Sequence, residues 1–550
     1  MAVKPLGHRA LFGKGMRWDT ICESLAPYDL NEVILVLTSL SALLRGEAAN
    51  GREAQLALVE SFFLESWEKL EPKVKANCVV FHRHQVLVGL RAALAHCRGD
   101  RGSQPTGTAF FEGIARALVA ITDHLGAPSA MPKGLEKRPT RDQLQAHLNH
   151  LVAQESLLPS AIEPAVVRAH HMLFERSGKL SRHRAFFNLA GSFHERHGVQ
   201  CERWFMACLH LLAKSLEYSL QTMHERQPIV RISSDFQSSA YEARQVERFF
   251  APSVEGLGRA KDGARQSFGE EQRDALLDFE ALRRKPIIRL LEDTYAATDS
   301  HLLCDMIAGE LGSTLVATAN ERDKARHWWT SLVRDHAERL LPALTAPLRS
   351  ADRMHRDEAG RARAIADWYH VRGGDALLIW VVTAPLRRDF STDEALLTSN
   401  SRVVRTLLHT ARQATTTIRA WRDGLCDLEG KRIGAVKRIF PMMILEQALP
   451  WDASAARLFA RACKEEGLLQ DAKAQPLVTL DIGTLEALTT APKPPLLIAL
   501  VAEHAGNAAR SRPLRSFIEK KGLPMEPDAV STRAQFEKLV KSCRKRLGVS

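Results

Sequence analysis

The chain has 550 residues, 45% of them hydrophobic and 25% charged, which is enough apolar material for several packed cores and excludes a disordered chain. Its formal net charge is +12, so the summed field favours an anionic partner, of which nucleic acid is the commonest. Residues 1–18 carry scattered basic side chains without the apolar core of a signal peptide, and apolar runs such as Leu496–Ala502 are far too short to span a bilayer; the expectation is a cytoplasmic protein with no membrane insertion.

In the N-terminal quarter the apolar spacing is helical. Asp29 is placed to cap a run through Val33, Leu35, Leu37 and Leu40, and Asn50 a second through Leu56, Leu58, Val59, Phe62 and Phe63. A polar break at Arg98–Gly107 precedes a helix over Phe110–His124, and Gly126–Pro139 has the Pro, Gly and Lys content of a linker. Residues 1–135 therefore form an N-terminal helical region. Thr140 is placed to cap a helix through Leu144, Leu148 and Leu151, and Ala161–Ser219 continues in helices without a fixed repeat. Ser233–Glu270 is polar and reads as a connection, so residues 136–270 make a second helical region and linker.

Lys285–Arg289 reads as a short edge-type strand because of Pro286. Helices follow over His301–Leu311 and Trp328–Leu344. Ile365–Leu386 then breaks the helical period with two apolar runs joined by Gly373-Gly374, the pattern of a β-hairpin. After it come a helix over Ser401–Arg422, a strand over Phe440–Leu445, and a strand over Pro476–Leu480. Asp481 or Thr484 is placed to cap a helix over Leu485–Thr489. Residues 271–505 thus predict a small α/β domain, residues 506–550 a basic helical tail, and the chain as a whole is mainly α.

The nine cysteines are scattered, with no CxxC pair and an odd total, the pattern of reduced core thiols. His183, His194, His197, Cys201, Cys208 and His210 lie close in sequence, but His194-Glu195-Arg196-His197 is one residue short of the HExxH spacing that sets two zinc ligands one turn apart. No metal site is expected there. Gly13-Lys14-Gly15 is too short for a phosphate loop, so nucleotide hydrolysis has no support.

The hairpin with its neighbours resembles the PD-(D/E)XK, or restriction-endonuclease-like, superfamily, and in particular large bacterial proteins that join such a domain to a helical N-terminal region. The resemblance runs from about Phe279 to Val501. It rests on the Phe279–Ile288 lead-in, the Trp328–Leu341 helix, the Asp367 hairpin, the helix with Gln413, Thr417 and Trp421, and the Ile439–Met443 and Leu480–Glu486 segments. In that chemistry carboxylates and a main-chain carbonyl hold Mg²⁺ while a lysine orients the attacking water. Asp367 supplies the first acid, the catalytic candidate. Placing the second strand in register puts Trp380 and Val382 where the acid and lysine belong, so the resemblance implies a degenerate nuclease that keeps a nucleic-acid-binding shape and needs no cofactor. If cleavage survives, Mg²⁺ would need migrated groups: Asp375, Asp389, Asp393 or Glu394, a cation from Arg387 or Arg388, and Asp335 or Glu338 from the helix.

Two basic stretches are candidate nucleic-acid contacts. Arg402, Arg405, Arg412, Arg419 and Arg422 recur on one broad face of a helix, with spacings suited to phosphates. Lys541, Arg544 and Lys545 lie in the terminal helix, an arm or a solvated end. The expected function is DNA or RNA binding, alongside other proteins of a bacterial anti-phage defence system; that setting comes from the resemblance alone. The alternatives are an active Mg²⁺-dependent nuclease and an α-helical scaffold.

Overall fold

The computed structural model describes residues 4–45, 51–76, 78–98, 106–125, 139–155, 161–223, 225–237, 241–267, 279–291, 293–350, 354–356, 362–383, 401–426, 433–449, 451–506 and 513–549. Helix α1 (Leu30–Leu43) starts where its sequence predicts: the Asp29 carboxylate accepts the N–H groups of Asn31 and Glu32 at 2.9 and 3.2 Å. It packs with α2 (Arg83–His96) and α3 (Thr108–His124) around Val33, Leu37, Leu90, Leu94, Leu118 and Ile121. Asn50 and residues 126–138 lie outside the described residues. Thr140 is the first residue of α4 (Thr140–Glu155) and not its cap; its hydroxyl donates to Glu465 at 2.6 Å instead.

Helices α5 (Ile162–His170) and α6 (Cys201–Glu217) follow, and then a four-stranded sheet of β1 (Ile229–Arg231), β2 (Val254–Glu255), β3 (Ile287–Leu291) and β4 (Thr294–Ala297) in the order β1-β4-β3-β2. Strand β3 is interior, with β4 antiparallel on one side and β2 parallel on the other, so the edge expectation is corrected. Pro286 precedes the strand, where its missing N–H takes nothing from the ladder. The polar stretch 233–270 is not a bare connection either. It holds β2 and helices Ala243–Phe250 and Leu257–Ser267, because Val246, Phe249 and Phe250 gather on one buried face despite the polar composition around them. The helix expected over His301–Leu311 is interrupted by a wide turn, Asp305–Gly309, between Ser300–Cys304 and Leu311–Thr318.

The C-terminal sheet carries the hairpin. Its strands are β5 (Arg349–Ser350), β6 (Trp368–Arg372), β7 (Asp375–Val382), β8 (Arg438–Leu445) and β9 (Val478–Asp481), ordered β9-β8-β7-β6-β5. Strand β6 runs antiparallel to β5 and β7, whereas β7, β8 and β9 are mutually parallel. In the hairpin Arg372 faces Asp375 and Trp368 faces Ile379, with Gly373 at φ +57° in the two-residue turn. Helix α7 (Arg322–Leu344) precedes the sheet. The parallel strands are joined through α8 (Ser401–Arg422) and α9 (Ala453–Glu465), and α10 (Ile482–Thr489) follows β9, its Thr484 N–H donating to Asp481 at 2.9 Å.

Alternation along β7 splits its side chains between two cores. Leu377, Ile379 and Val381 enter the cluster of Trp328, Leu332 and Leu341 on α7 and Leu485 and Leu488 on α10. Leu378 and Trp380 point the other way, to Ala414, Ile418 and Trp421 on α8. Covered on both faces, β7 and β8 need an unbroken apolar sequence, and this is why the runs stood out. The α7 cluster also takes in Val166 of α5, Leu209 of α6, and Phe536, Val540 and Leu547 of α11 (Ala529–Leu547). The basic C-terminal segment is therefore not a free arm: α11 is docked on α5 and α6 through Phe536, Val540, Cys543 and Leu547, while Lys538, Lys541 and Lys545 meet solvent. The fold is mainly α with a C-terminal α/β region.

Candidate nucleic-acid interface and the hairpin carboxylate

Asp367 sits in a bend at the start of β6. Its N–H donates to the Ile379 carbonyl at 2.8 Å, and its carboxylate accepts the Val381 N–H at 2.7 Å. That N–H is where the β6–β7 ladder runs out, so the side chain finishes the pairing that the backbone leaves open. Arg334 of α7 approaches the same carboxylate at 2.6 Å, and the Asp367 side chain is 14% exposed. Burial raises its pKa above the usual carboxylate range, with Arg334 and the Val381 N–H opposing. Both oxygens thus have protein partners, and the arrangement is a strand terminator with a neutralising guanidinium.

The position across from Asp367 is occupied by Trp380, 5% exposed and packed among Ile365, Tyr369, Ile418 and Trp421. Val382 is half-buried against the α8–α9 core. Neither offers a ligand or a proton. Asp375 lies at the turn end of β7, about 13 Å from Ile379 at roughly 3.3 Å per residue, and both its oxygens accept from Arg438, at 2.8 and 2.7 Å. Asp335 is taken by Arg176 at 3.0 and 2.6 Å, and Glu338 is exposed. Asp389, Asp393, Glu394, Arg387 and Arg388 lie outside the described residues. Among the described residues no three His, Cys, Asp or Glu side chains converge as metal ligands. Of the histidine-rich stretch, Cys201, Cys208 and His210 are buried, and burial pushes the His210 ring down to about 4.

On α8, Arg405, Arg412, Arg419 and Arg422 are exposed opposite the buried Val404, Leu408, Ala411 and Ile418, so the predicted face exists. The side chain of Arg402 is outside the described residues. The face is only partly available as charge: Arg412 pairs with Glu466 at 2.5 Å and Arg422 with Asp423 at 3.2 Å, and Arg405 and Arg419 are not free either. On α11, Lys541 and Lys545 are exposed, whereas Arg544 is half-buried and donates to Glu217 at 2.8 Å.

One group escaped the sequence reading. Glu446, just beyond the C-terminal end of β8, accepts the Trp329 Nε1–H at 2.8 Å. Burial by surrounding protein pushes its carboxyl up to about 7; the Trp329 bond and Arg168 oppose this and Glu310 adds to it. Nearby, Arg168 of α5 pairs with Glu486 of α10, which also meets His336 Nε2 at 2.7 Å. Burial disfavours the Glu486 charge, but Arg168 and His336 hold its pKa below the usual value. The available signal was positional: Glu446 is the first polar residue after an apolar parallel strand, the end of such sheets where functional groups gather. A cavity of about 380 Å³ lies farther off along β9, lined by Trp451, Phe459, Leu477, His504 and Leu514.

No family model, no curated protein and no solved structure matches this chain.

Proposed function

We propose that this protein binds nucleic acid, DNA or RNA, through a nuclease-like α/β domain whose hydrolytic centre is lost, as a component of a bacterial anti-phage defence system. The observation that carries the reading is the hairpin. Its one carboxylate at the expected place is committed to Arg334 and the Val381 N–H, and Trp380 and Val382 stand where an acid and a lysine would have to act. Among the described residues no cluster of acidic or metal-ligating side chains converges there to hold Mg²⁺ against a phosphate. Support for nucleic acid as the partner comes from the +12 net charge and the exposed arginines of α8. The defence setting is supported only by the resemblance to large bacterial proteins of helical region plus nuclease-like domain.

The test has two parts. Plasmid and single-stranded substrates incubated with Mg²⁺ or Mn²⁺ should remain intact, and Asp367→Ala should leave binding nearly unchanged; metal-dependent cutting abolished by that substitution sinks the pseudo-nuclease reading. Replacing Arg405, Arg412 and Arg419 by Ala should weaken binding uniformly across sequences, lowering the log–log salt slope by up to about 0.7–0.9 for each phosphate no longer neutralised.

A further inference from the structure

Between Arg176 and Glu195 the sequence contains no Asp or Glu, while Lys179, Arg182, His183 and Arg184 fall within six residues. The chain leaves helix there and runs through consecutive turns: the His183 N–H donates to the Leu180 carbonyl at 2.9 Å and the Phe186 N–H to the His183 carbonyl at 2.9 Å. The His183 ring also accepts the Ala185 N–H at 3.2 Å. These bonds fix the course of the loop and direct the basic residues outward. Lys179, Arg182, His183 and Arg184 are all exposed, and among the described residues Lys179, Arg182 and Arg184 have no hydrogen-bond or ion-pair partner.

Phe186 adds a second, independent feature. Its ring is 38% exposed although full burial of such a side chain is worth about 1.5–3 kcal/mol. It stands edge-on to the fully buried Trp328, ring centroids 5.2 Å apart at 72°, and the His183 ring lies 5.9 Å from the same indole. The exposed ring is therefore held in place by α7. Several arginines on α8 and α11 are by contrast ion-paired, Arg412 with Glu466, Arg544 with Glu217 and Arg546 with Glu202.

Unpaired cations around a fixed, solvent-facing aromatic ring suit a polyanion with accessible π-faces. A duplex presents phosphates but keeps its bases stacked, whereas a single strand presents both. Resting on the nucleic-acid reading above, we infer that residues 179–186 form a binding site for single-stranded nucleic acid, with Lys179, Arg182 and Arg184 on phosphates and Phe186 stacked on one base.

Fluorescence anisotropy with oligo-dT, oligo-rU and a duplex, each of about 15 nucleotides, tests this over a salt series with the full chain. Replacing Lys179, Arg182 and Arg184 by Ala should lower the single-strand salt slope by about 2, at about 0.7 per phosphate. Phe186→Ala should weaken single-strand binding roughly 5- to 100-fold with the slope unchanged, and Phe186→Tyr should restore it. The dT and rU arms decide between DNA and RNA as the source of the strand. If the wild type binds single strands and both variants, melting like the wild type, keep its affinity and slope, the loop assignment is wrong and the broader reading stands. Equal loss for the duplex overturns the single-strand claim. Wild-type protein that ignores all three oligonucleotides, or prefers vesicles rich in anionic lipid, overturns the inference together with the nucleic-acid reading.

Discussion

Replacing Glu446 by Gln isolates the cost of keeping a carboxylate beside the C-terminal end of β8. The folded-state pKa, raised from 4.5 to about 7, means the folded protein binds this proton more readily than the unfolded chain does. Below about pH 4.5 both states are protonated and the group is silent. As pH rises from 4.5 to 7 the wild type loses stability, and above 7 the loss is complete. The difference of about 2.5 pH units, at ~1.36 kcal/mol each, is about 3 kcal/mol; Glu446 keeps some solvent exposure, which brings the expected figure to about 1–3 kcal/mol. Glutamine retains an oxygen for the Trp329 Nε1–H and removes the charge, while Arg168 keeps Glu486 as its partner. Glu446→Gln should therefore stabilise at pH 8 by about 1–3 kcal/mol and change little at pH 5. Urea unfolding followed by tryptophan fluorescence at both pH values measures this. A variant less stable than wild type at pH 8, or parallel pH profiles, would show that the carboxylate is a favourable ion and refute the reasoning.

The buried Arg83–Asp299 pair, at 2.6 Å with side chains 11% and 1% exposed, behaves oppositely. Burial disfavours the Asp299 charge, yet Arg83 and backbone donors hold its pKa well below the usual value, so its contribution is present above about pH 3.8 and lost as pH falls below it. Arg83→Met should cost about 3–5 kcal/mol at pH 7 and flatten that acid limb, as read by denaturant midpoints at pH 7 and at successive steps below about pH 3.8, where the lowered value places the loss. Trp380→Ala should cost about 3–5 kcal/mol by emptying the space between β7 and α8, with loss of near-ultraviolet circular dichroism; an unchanged melting curve would contradict its place in that core.

Where periodicity acted alone, the sequence was legible. The Ser401–Arg422 helix has its expected bounds, Asp29 and Asp481 cap as expected, and the Gly373-Gly374 turn sits between strands of the expected register. Two readings failed where a distant partner decided the outcome. Pro286 marks the start of an interior strand because β2 comes from a segment whose polarity hid Val246 and Phe250. Thr140 gives its hydroxyl to Glu465 instead of its own helix. The terminal helix left an arm and a solvated end both open, since its apolar positions are few and its acidic partners, Glu202 and Glu217, lie more than 300 residues upstream. At the candidate site the identity of Trp380 was readable, but the pairing of Arg334 with Asp367 and the role of Glu446 depend on packing that no local pattern carries.

The docking of α11 on α5 and α6 sets an order of events during synthesis. Arg544 meets Glu217 across 327 residues of chain, and the Cys543 Sγ–H meets the Met206 carbonyl across 337. At about 5–20 residues per second, α6 waits roughly 15–65 seconds for the helix that covers it. Throughout that interval the groove that will receive Phe536, Val540 and Leu547 lacks this cover, so the nascent chain is expected to pass through an aggregation-prone stage, and a product ending before residue 529 is expected to remain in it.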